Sequence, residues 1–347
     1  MKRAKVLLVS VLAIWLLSSY QSDSVITVFM IGDSTMAMKN LDGDNQERGW
    51  GMVLQSYFTE DVKVDNHAVN GRSSKSFIDE GRWQVVLDRI KPGDYVFIQF
   101  GHNDEKPAAE RHTDPGSTFD DNLRKYVNET RSKGGIPVLF NAVVRRNFYR
   151  EVNNSIDDES LRNTTFADLD EKVNSDTLID THGDYIIAPK NVARELHVPF
   201  VDANKITHDI EQQLGIIGSR KLHMWFNPGE VKSIPNGRKD NTHYNIYGAH
   251  VVAAQLIDEI GRQVPALTRY INHHDIAVAK DGSGHFFDLQ QAVDLAESGL
   301  IPSSQGLGNV KASGKITILV GDGVWEKPKM SGKTNIQFDK RTGAVIK

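Results

Sequence analysis

Hydrophobic residues in this chain gather in short unbroken runs, and the stretches between them carry helical spacing. Val25 to Ile31 is apolar at every position except Thr27, the pattern of a strand buried on both faces, as in a parallel sheet covered by helices. The signal recurs at Val62 to Val69, Tyr95 to Phe100, Ile136 to Asn141 and Val198 to Val201. Helical candidates lie between these runs at Trp83 to Ile90, Leu123 to Thr130 and Tyr185 to Leu196. Further on, Ala249, Val252, Ala253, Leu256 and Ile260 form one apolar stripe. Strand alternating with helix predicts an α/β fold with a parallel central sheet and right-handed crossovers.

Polar clusters stand just beyond the predicted strands. Gly32-Asp33-Ser34 follows the first, Asn70-Gly71-Arg72 the second and Gly101-His102-Asn103-Asp104 the third. The carboxyl ends of the strands are where open α/β sheets place their ligand crevices. A serine after a turn-forming glycine sits where a helix N-terminus can favour negative charge on its oxygen. Asp240-Asn241-Thr242-His243 lies just ahead of the apolar-striped helix, so a loop-borne Asp and His are expected at the same rim. These residue types support acyl transfer. His243 can take the proton of Ser34, and Asp240 can hold the imidazole's tautomer. The N–H groups of Ser34 and Gly71 with the Asn103 amide can receive the oxyanion. Each cluster alone reads as a turn or a helix cap; the functional reading rests on their convergence. His102, His182 and His250 lack ligand-spaced partners, so no metal is expected.

Composition narrows the class. A formal net charge of -4, with 25% charged residues over 347, gives no basic excess for nucleic acid or anionic membrane. Without cysteine there is no disulfide, thiolate metal site or cysteine nucleophile. Lys2, Arg3 and Lys5 precede the apolar run Val6 to Leu17, and Ser18-Ser19 follow. Residues 1–20 thus read as a signal peptide, predicting a secreted or periplasmic protein with no stable membrane insertion after cleavage.

The four polar clusters, in their order, resemble the four blocks of the SGNH (GDSL-type) hydrolases, and no Gly-x-Ser-x-Gly elbow competes. Thr35 after the serine, Arg48-Gly49-Trp50-Gly51 and Thr181-His182-Gly183-Asp184-Tyr185 resemble the rhamnogalacturonan acetylesterases within that superfamily. The resemblance covers Val25 to Arg262 and places an SGNH hydrolase domain at residues 24–265. It implies a three-layer α/β/α, flavodoxin-like fold, catalysis without metal or cofactor, and deacetylation of pectin. By the family's pattern Ser34, Asp240 and His243 are the triad, and Ser34, Gly71 and Asn103 the oxyanion hole. An anionic pectic substrate calls for local arginines, and Arg72, Arg145 and Arg146 follow predicted strand ends. Two alternatives stay open: an SGNH esterase acting on acetylated xylan or a lipid ester, and a non-catalytic carbohydrate-binding scaffold. The sequence carries no signal for oligomeric state.

Beyond a linker at residues 266–274, residues 275–347 show strand, turn, helix and strand: Ile276 to Gly284, an amphipathic Phe286 to Ala296, then Ile316 to Val320. This segment resembles the opening of a pectin methylesterase, whose chain winds into a right-handed parallel β-helix, although His285 stands where that family usually has an acidic or amide residue. A single coil cannot bury its own apolar face, so the segment is expected to need a packing partner. The resemblance covers only that opening, and no methylesterase activity is expected.

Overall fold

Strand alternation along the chain sorts the core into two layers around one sheet. The computed structural model describes residues 25–150 and 171–347; the predicted signal peptide lies outside the described residues. Strands β1 (Ile26–Gly32), β2 (Val62–Asn66), β3 (Tyr95–Gln99), β4 (Ile136–Phe140) and β5 (Phe200–Val201) pair in parallel in the order β2-β1-β3-β4-β5. Val28, Met30, Tyr95, Phe97, Val138 and Phe140 point into one core, while Phe29, Ile31, Val96, Ile98 and Leu139 point into the other. This is the period of two that a sheet covered on both faces demands.

Helices cover both faces. Among the described residues they are, in chain order, α1 (Trp50–Val53), α2 (Ser74–Asp79), α3 (Arg82–Leu87), α4 (Thr118–Ser132), α5 (Ala188–Leu196), α6 (Ala203–Gly218) and α7 (Ile246–Gln263). Ala249, Val252, Ala253, Leu256 and Ile260 of α7 pack with Val28 and Met30, as their stripe predicts. Phe119, Leu123, Tyr126 and Val127 of α4, with Val192 of α5, cover the opposite face. The result is a three-layer α/β/α fold, and its strand order puts the topological switch between β1 and β3.

Two local differences bear on the site. β2 ends at Asn66, before Val69, because the Asn66 side chain accepts from Ala68 N (3.0 Å) and donates to the Met36 carbonyl (2.8 Å), turning the chain toward Ser34. Asp240 to His243 is strand, not loop: it lies in β7 (Arg238–Tyr244), which pairs antiparallel with β6 (His223–Phe226).

The C-terminal segment has its own core, built on Ile276, Val278, Leu289, Val293, Ile316, Ile318 and Val320. It opens with β8 (Ile276–Val278) and α8 (Leu289–Glu297), then a hairpin of β9 (Leu300–Pro302) and β10 (Asn309–Lys311). Next come β11 (Ile316–Val320), β12 (Gly323–Trp325), β13 (Ile336–Lys340) and β14 (Ala344–Ile346). β11 pairs in parallel with β8 and β13, and β12 in parallel with β14. Residues 266–274 are not a free tether: Leu267 is buried, and the Thr59 and Asn272 N–H groups bond the Tyr270 and Tyr57 carbonyls at 2.7 and 2.9 Å. The segment docks on the sheet domain. Arg341 donates to the Gln55 and Phe58 carbonyls (3.1 and 2.6 Å), Arg48 Nε donates to the Gly282 carbonyl (3.1 Å), and the His250 and His285 rings stack 3.6 Å apart.

Candidate active site

The turn that carries Ser34 is braced by hydrogen bonds. Asp33 is buried and accepts from Thr35 N (2.9 Å) and Thr35 Oγ1 (2.8 Å), closing a tight turn straight off β1. Burial raises the Asp33 pKa against the pull of those bonds. Thr35 Oγ1 in turn accepts from Gln99 Nε2 (3.1 Å), and Gln99 Oε1 accepts from the Trp50 indole (2.7 Å). Gly49 is required beside it, because a Cβ there would lie 2.3 Å from the Ala37 carbonyl oxygen. Gly49 and Gly51, at the start of α1, thus let the chain pack directly against Met36 and Ala37. No helix starts at Ser34; residues 33–37 make one turn, closed by Ala37 N on the Asp33 carbonyl (3.0 Å). The expected helix N-terminus is therefore replaced by a lone turn.

β7 delivers the other two groups. His243 Nδ1 lies 2.9 Å from Asp240 Oδ2, and His243 Nε2 lies 2.9 Å from Ser34 Oγ. Asp240 Oδ1 accepts from the Thr242 and His243 N–H groups, both at 2.9 Å. Burial alone would raise the Asp240 pKa; the facing imidazole and these donors outweigh it and hold the carboxyl well below the usual carboxylate range. An ionised Asp240 keeps the imidazole proton on Nδ1, which leaves Nε2 to accept the Ser34 hydroxyl proton. All three residues are at most 9% exposed.

Ser34, Gly71, Asn103 and His243 line one cavity of about 410 Å³ at the β1/β3 switch. Gly71 sits at φ +74°, a left-handed conformation that L side chains avoid. Asn103 Nδ2 donates one hydrogen to the Arg72 carbonyl (3.2 Å), which orients the amide and leaves its second hydrogen. Asp104 ties the loops together from behind, accepting from Gly101 N (3.1 Å), Ser74 N (3.0 Å), Ser74 Oγ (2.6 Å) and Thr113 Oγ1 (2.9 Å). Burial pushes its pKa up to about 7 despite them. Lys39, which sequence reasoning did not single out, is buried and joins two blocks: Nζ donates to the Ser34 carbonyl and to Asn70 Oδ1, both at 2.7 Å, and pairs with Glu47 at 2.9 Å.

The expected substrate arginines part company. Arg72 lines the cavity, held by Glu80 and the Asn70 carbonyl, each at 3.0 Å. Arg145 and Arg146 do not line it. Both are buried, because the chain beyond β4 runs under the rim among acidic partners. Arg145 pairs with Glu105 and donates to the His102 carbonyl; Arg146 pairs with Glu171 and donates to Asn241 Oδ1 (2.9 Å), bracing the strand that carries Asp240. His182 spends its ring nitrogens on Glu105 (2.9 Å) and the Val143 carbonyl (3.1 Å). Among the described residues, the lysine and arginine side chains lining the cavity are Arg72, Lys106 and Arg111; the last two carry no motif signal.

The sequence profile of the GDSL-like Lipase/Acylhydrolase family matches residues 30–251. Rhamnogalacturonan acetylesterase RhgT of Bacillus subtilis (strain 168) is 38% identical over 242 residues, 68% of this chain and 91% of that protein. The probable rhamnogalacturonan acetylesterase YesY of the same organism is 33% identical over 241 residues, 67% of this chain and 93% of that protein. Among solved structures, protein YxiM of Bacillus subtilis shares the fold with a TM-score of 0.53 at 23% identity, over 70% of this chain and 58% of that one. The chain belongs to the GDSL-like lipase/acylhydrolase family, as a serine carboxylic-ester hydrolase.

Proposed function

We propose that this esterase removes acetyl groups from the rhamnogalacturonan of pectin through an acetyl-enzyme on Ser34. The observation that carries the reading is the unbroken hydrogen-bond line from Asp240 through His243 to Ser34 Oγ, opening into a polar cavity. As Ser34 Oγ attacks the acetyl carbonyl, His243 Nε2 takes its proton, and Asp240 stabilises the imidazolium. Negative charge moves to the carbonyl oxygen, where the N–H groups of Ser34 and Gly71 and the free hydrogen of the Asn103 amide receive it. The tetrahedral adduct collapses as His243 returns the proton to the departing sugar oxygen. Water then enters, His243 deprotonates it, and attack on the acetyl carbon releases acetate and restores Ser34.

The substrate assignment draws on the two Bacillus subtilis relatives and on the cationic side chains in the cavity wall. The charged and then apolar opening of the chain supports export by a signal peptide at residues 1–20, toward a polymer too large to enter a cell. Residues 275–347 fit a pectin-methylesterase-like coil, which the parallel β11/β13 and β12/β14 pairs support; in this proposal the coil packs against the esterase and takes no part in chemistry. The test compares acetate release from acetylated rhamnogalacturonan and from acetylated xylan, beside Ser34→Ala. Faster release from the pectic polymer, abolished by the substitution, is expected. Equal or faster release from xylan overturns the substrate, and full activity of Ser34→Ala overturns the mechanism.

A further inference from the structure

We propose that Arg111 is the specificity residue of this site, binding the carboxylate of a uronate at or beside the acetylated sugar. The inference rests on the pectic reading above and names the group that recognises the acid. Arg111 lies on the connection between β3 and α4, where a turn fixes its backbone: Arg111 N and His112 N both donate to the Ala108 carbonyl at 2.8 Å. Its side chain lines the same cavity as Ser34 and Asn103. A Cβ built on Gly71 would lie 3.9 Å from Arg111 Nη1, so the guanidinium stands beside the oxyanion glycine. A substituent on the sugar that bears the ester falls within reach of it.

What sets Arg111 apart from Arg72 is what its donors already hold. Arg72 spends Nε on Glu80 and Nη1 on the Asn70 carbonyl, and Glu80 is shared with Arg82 at 2.5 Å. Among the described residues, Arg111 Nη1 and Nη2 donate to no protein acceptor, and its ion pair is Glu110 at 3.9 Å from Nε, with the Glu110 side chain 71% exposed. A pair that long and that solvated contributes little. Yet the Arg111 side chain itself is only 21% exposed, held against the wall. A planar fork with unspent donors, partly desolvated, matches a carboxylate bidentately where a lysine would offer a single point charge. A neutral sugar ester has no group to fill it.

The test uses the full chain with Arg111→Gln and Arg111→Lys. Three substrates are compared: acetylated rhamnogalacturonan oligosaccharide, the same oligosaccharide with its carboxylates methyl-esterified, and 4-nitrophenyl acetate. For Arg111→Gln, kcat/KM on the acidic oligosaccharide should fall about 10- to 100-fold, the size of a hydrogen bond to a charged group, mostly through KM. The methyl-esterified oligosaccharide and 4-nitrophenyl acetate should lose much less than the acidic oligosaccharide, and a melting curve shows that the variant is folded. Arg111→Lys should restore only part of the loss. Deacetylated acidic oligosaccharide should inhibit 4-nitrophenyl acetate hydrolysis by the unaltered enzyme, and more weakly by Arg111→Gln. Equal losses on all three substrates, or no loss on the acidic one, overturn the proposal. The unaltered enzyme's preference for pectic polymer over xylan tests the substrate reading separately, so the two failures are told apart.

Discussion

Replacing Asp240 by asparagine changes one atom and should disable the site through a tautomer. The Asp240 carboxylate serves two sides: Oδ1 takes the Thr242 and His243 N–H groups, and Oδ2 faces His243 Nδ1, all at 2.9 Å. An asparagine has one acceptor and one donor to divide between them. The backbone N–H groups cannot become acceptors, so the asparagine oxygen must face them, which turns its NH₂ toward His243. The imidazole can relieve that contact by moving its proton from Nδ1 to Nε2. Nε2 then points a hydrogen at Ser34 Oγ, 2.9 Å away, and can no longer take one. The expected loss in kcat is about 10⁴-fold, as when an asparagine imposes the wrong tautomer in a Ser-His-Asp site. Asp240→Ala, which leaves both tautomers available, should be no worse although it is the larger deletion. Steady-state hydrolysis of 4-nitrophenyl acetate, beside a melting curve to show that both variants fold, is the assay. A folded Asp240→Asn enzyme within about tenfold of the unaltered protein would refute the tautomer argument.

Other outcomes follow from buried charges. Lys39→Met keeps the aliphatic stem but removes the bonds that join the Ser34 carbonyl to Asn70, next to Gly71. We expect kcat to fall about 10-fold or more with KM nearly unchanged, because alignment of nucleophile and oxyanion donors is lost rather than substrate contact; an unchanged kcat would show that the tie is dispensable. At the seam with the C-terminal segment, burial holds the imidazole pKa values down, to about 3 for His250 and about 4 for His274, with His285 well below its usual value. The unfolded chain takes up protons as pH falls below about 6.5 while the folded one does not, so stability should decline steadily from there toward pH 4. Denaturant melts across that window, repeated with His285→Phe, check it; a slope unaltered by that substitution would remove His285 from the linkage.

Much of this protein could be read along the chain, because the decisive signals are local. The unbroken apolar run in Val25 to Ile31 already implies a strand buried on both faces, and a Gly-Asp-Ser turn after it puts the hydroxyl at the carboxyl edge whatever the neighbours are. The polar clusters after the strands put Ser34, Gly71 and Asn103 at one rim, and the structure brings Asp240 and His243 to them. Strand ends were less legible: β2 stops at Asn66 because a side chain reaches the Met36 carbonyl, a bond between distant segments. The same limit governed the long cations. Arg145, Arg146 and Arg111 look alike in sequence, each an exposed-type residue near a strand end or loop.

Which of them faces substrate depends on the acids the fold brings near. Glu105 and Glu171 take Arg145 and Arg146 into the interior, while among the described residues the Arg111 fork beside Gly71 meets only Glu110, 3.9 Å from its Nε. Residue pattern therefore determined the layers, the crossovers and the edge where chemistry can occur. Tertiary structure alone decided which charges were neutralised and which stayed available, because ion pairing depends on distances through space that no local period encodes.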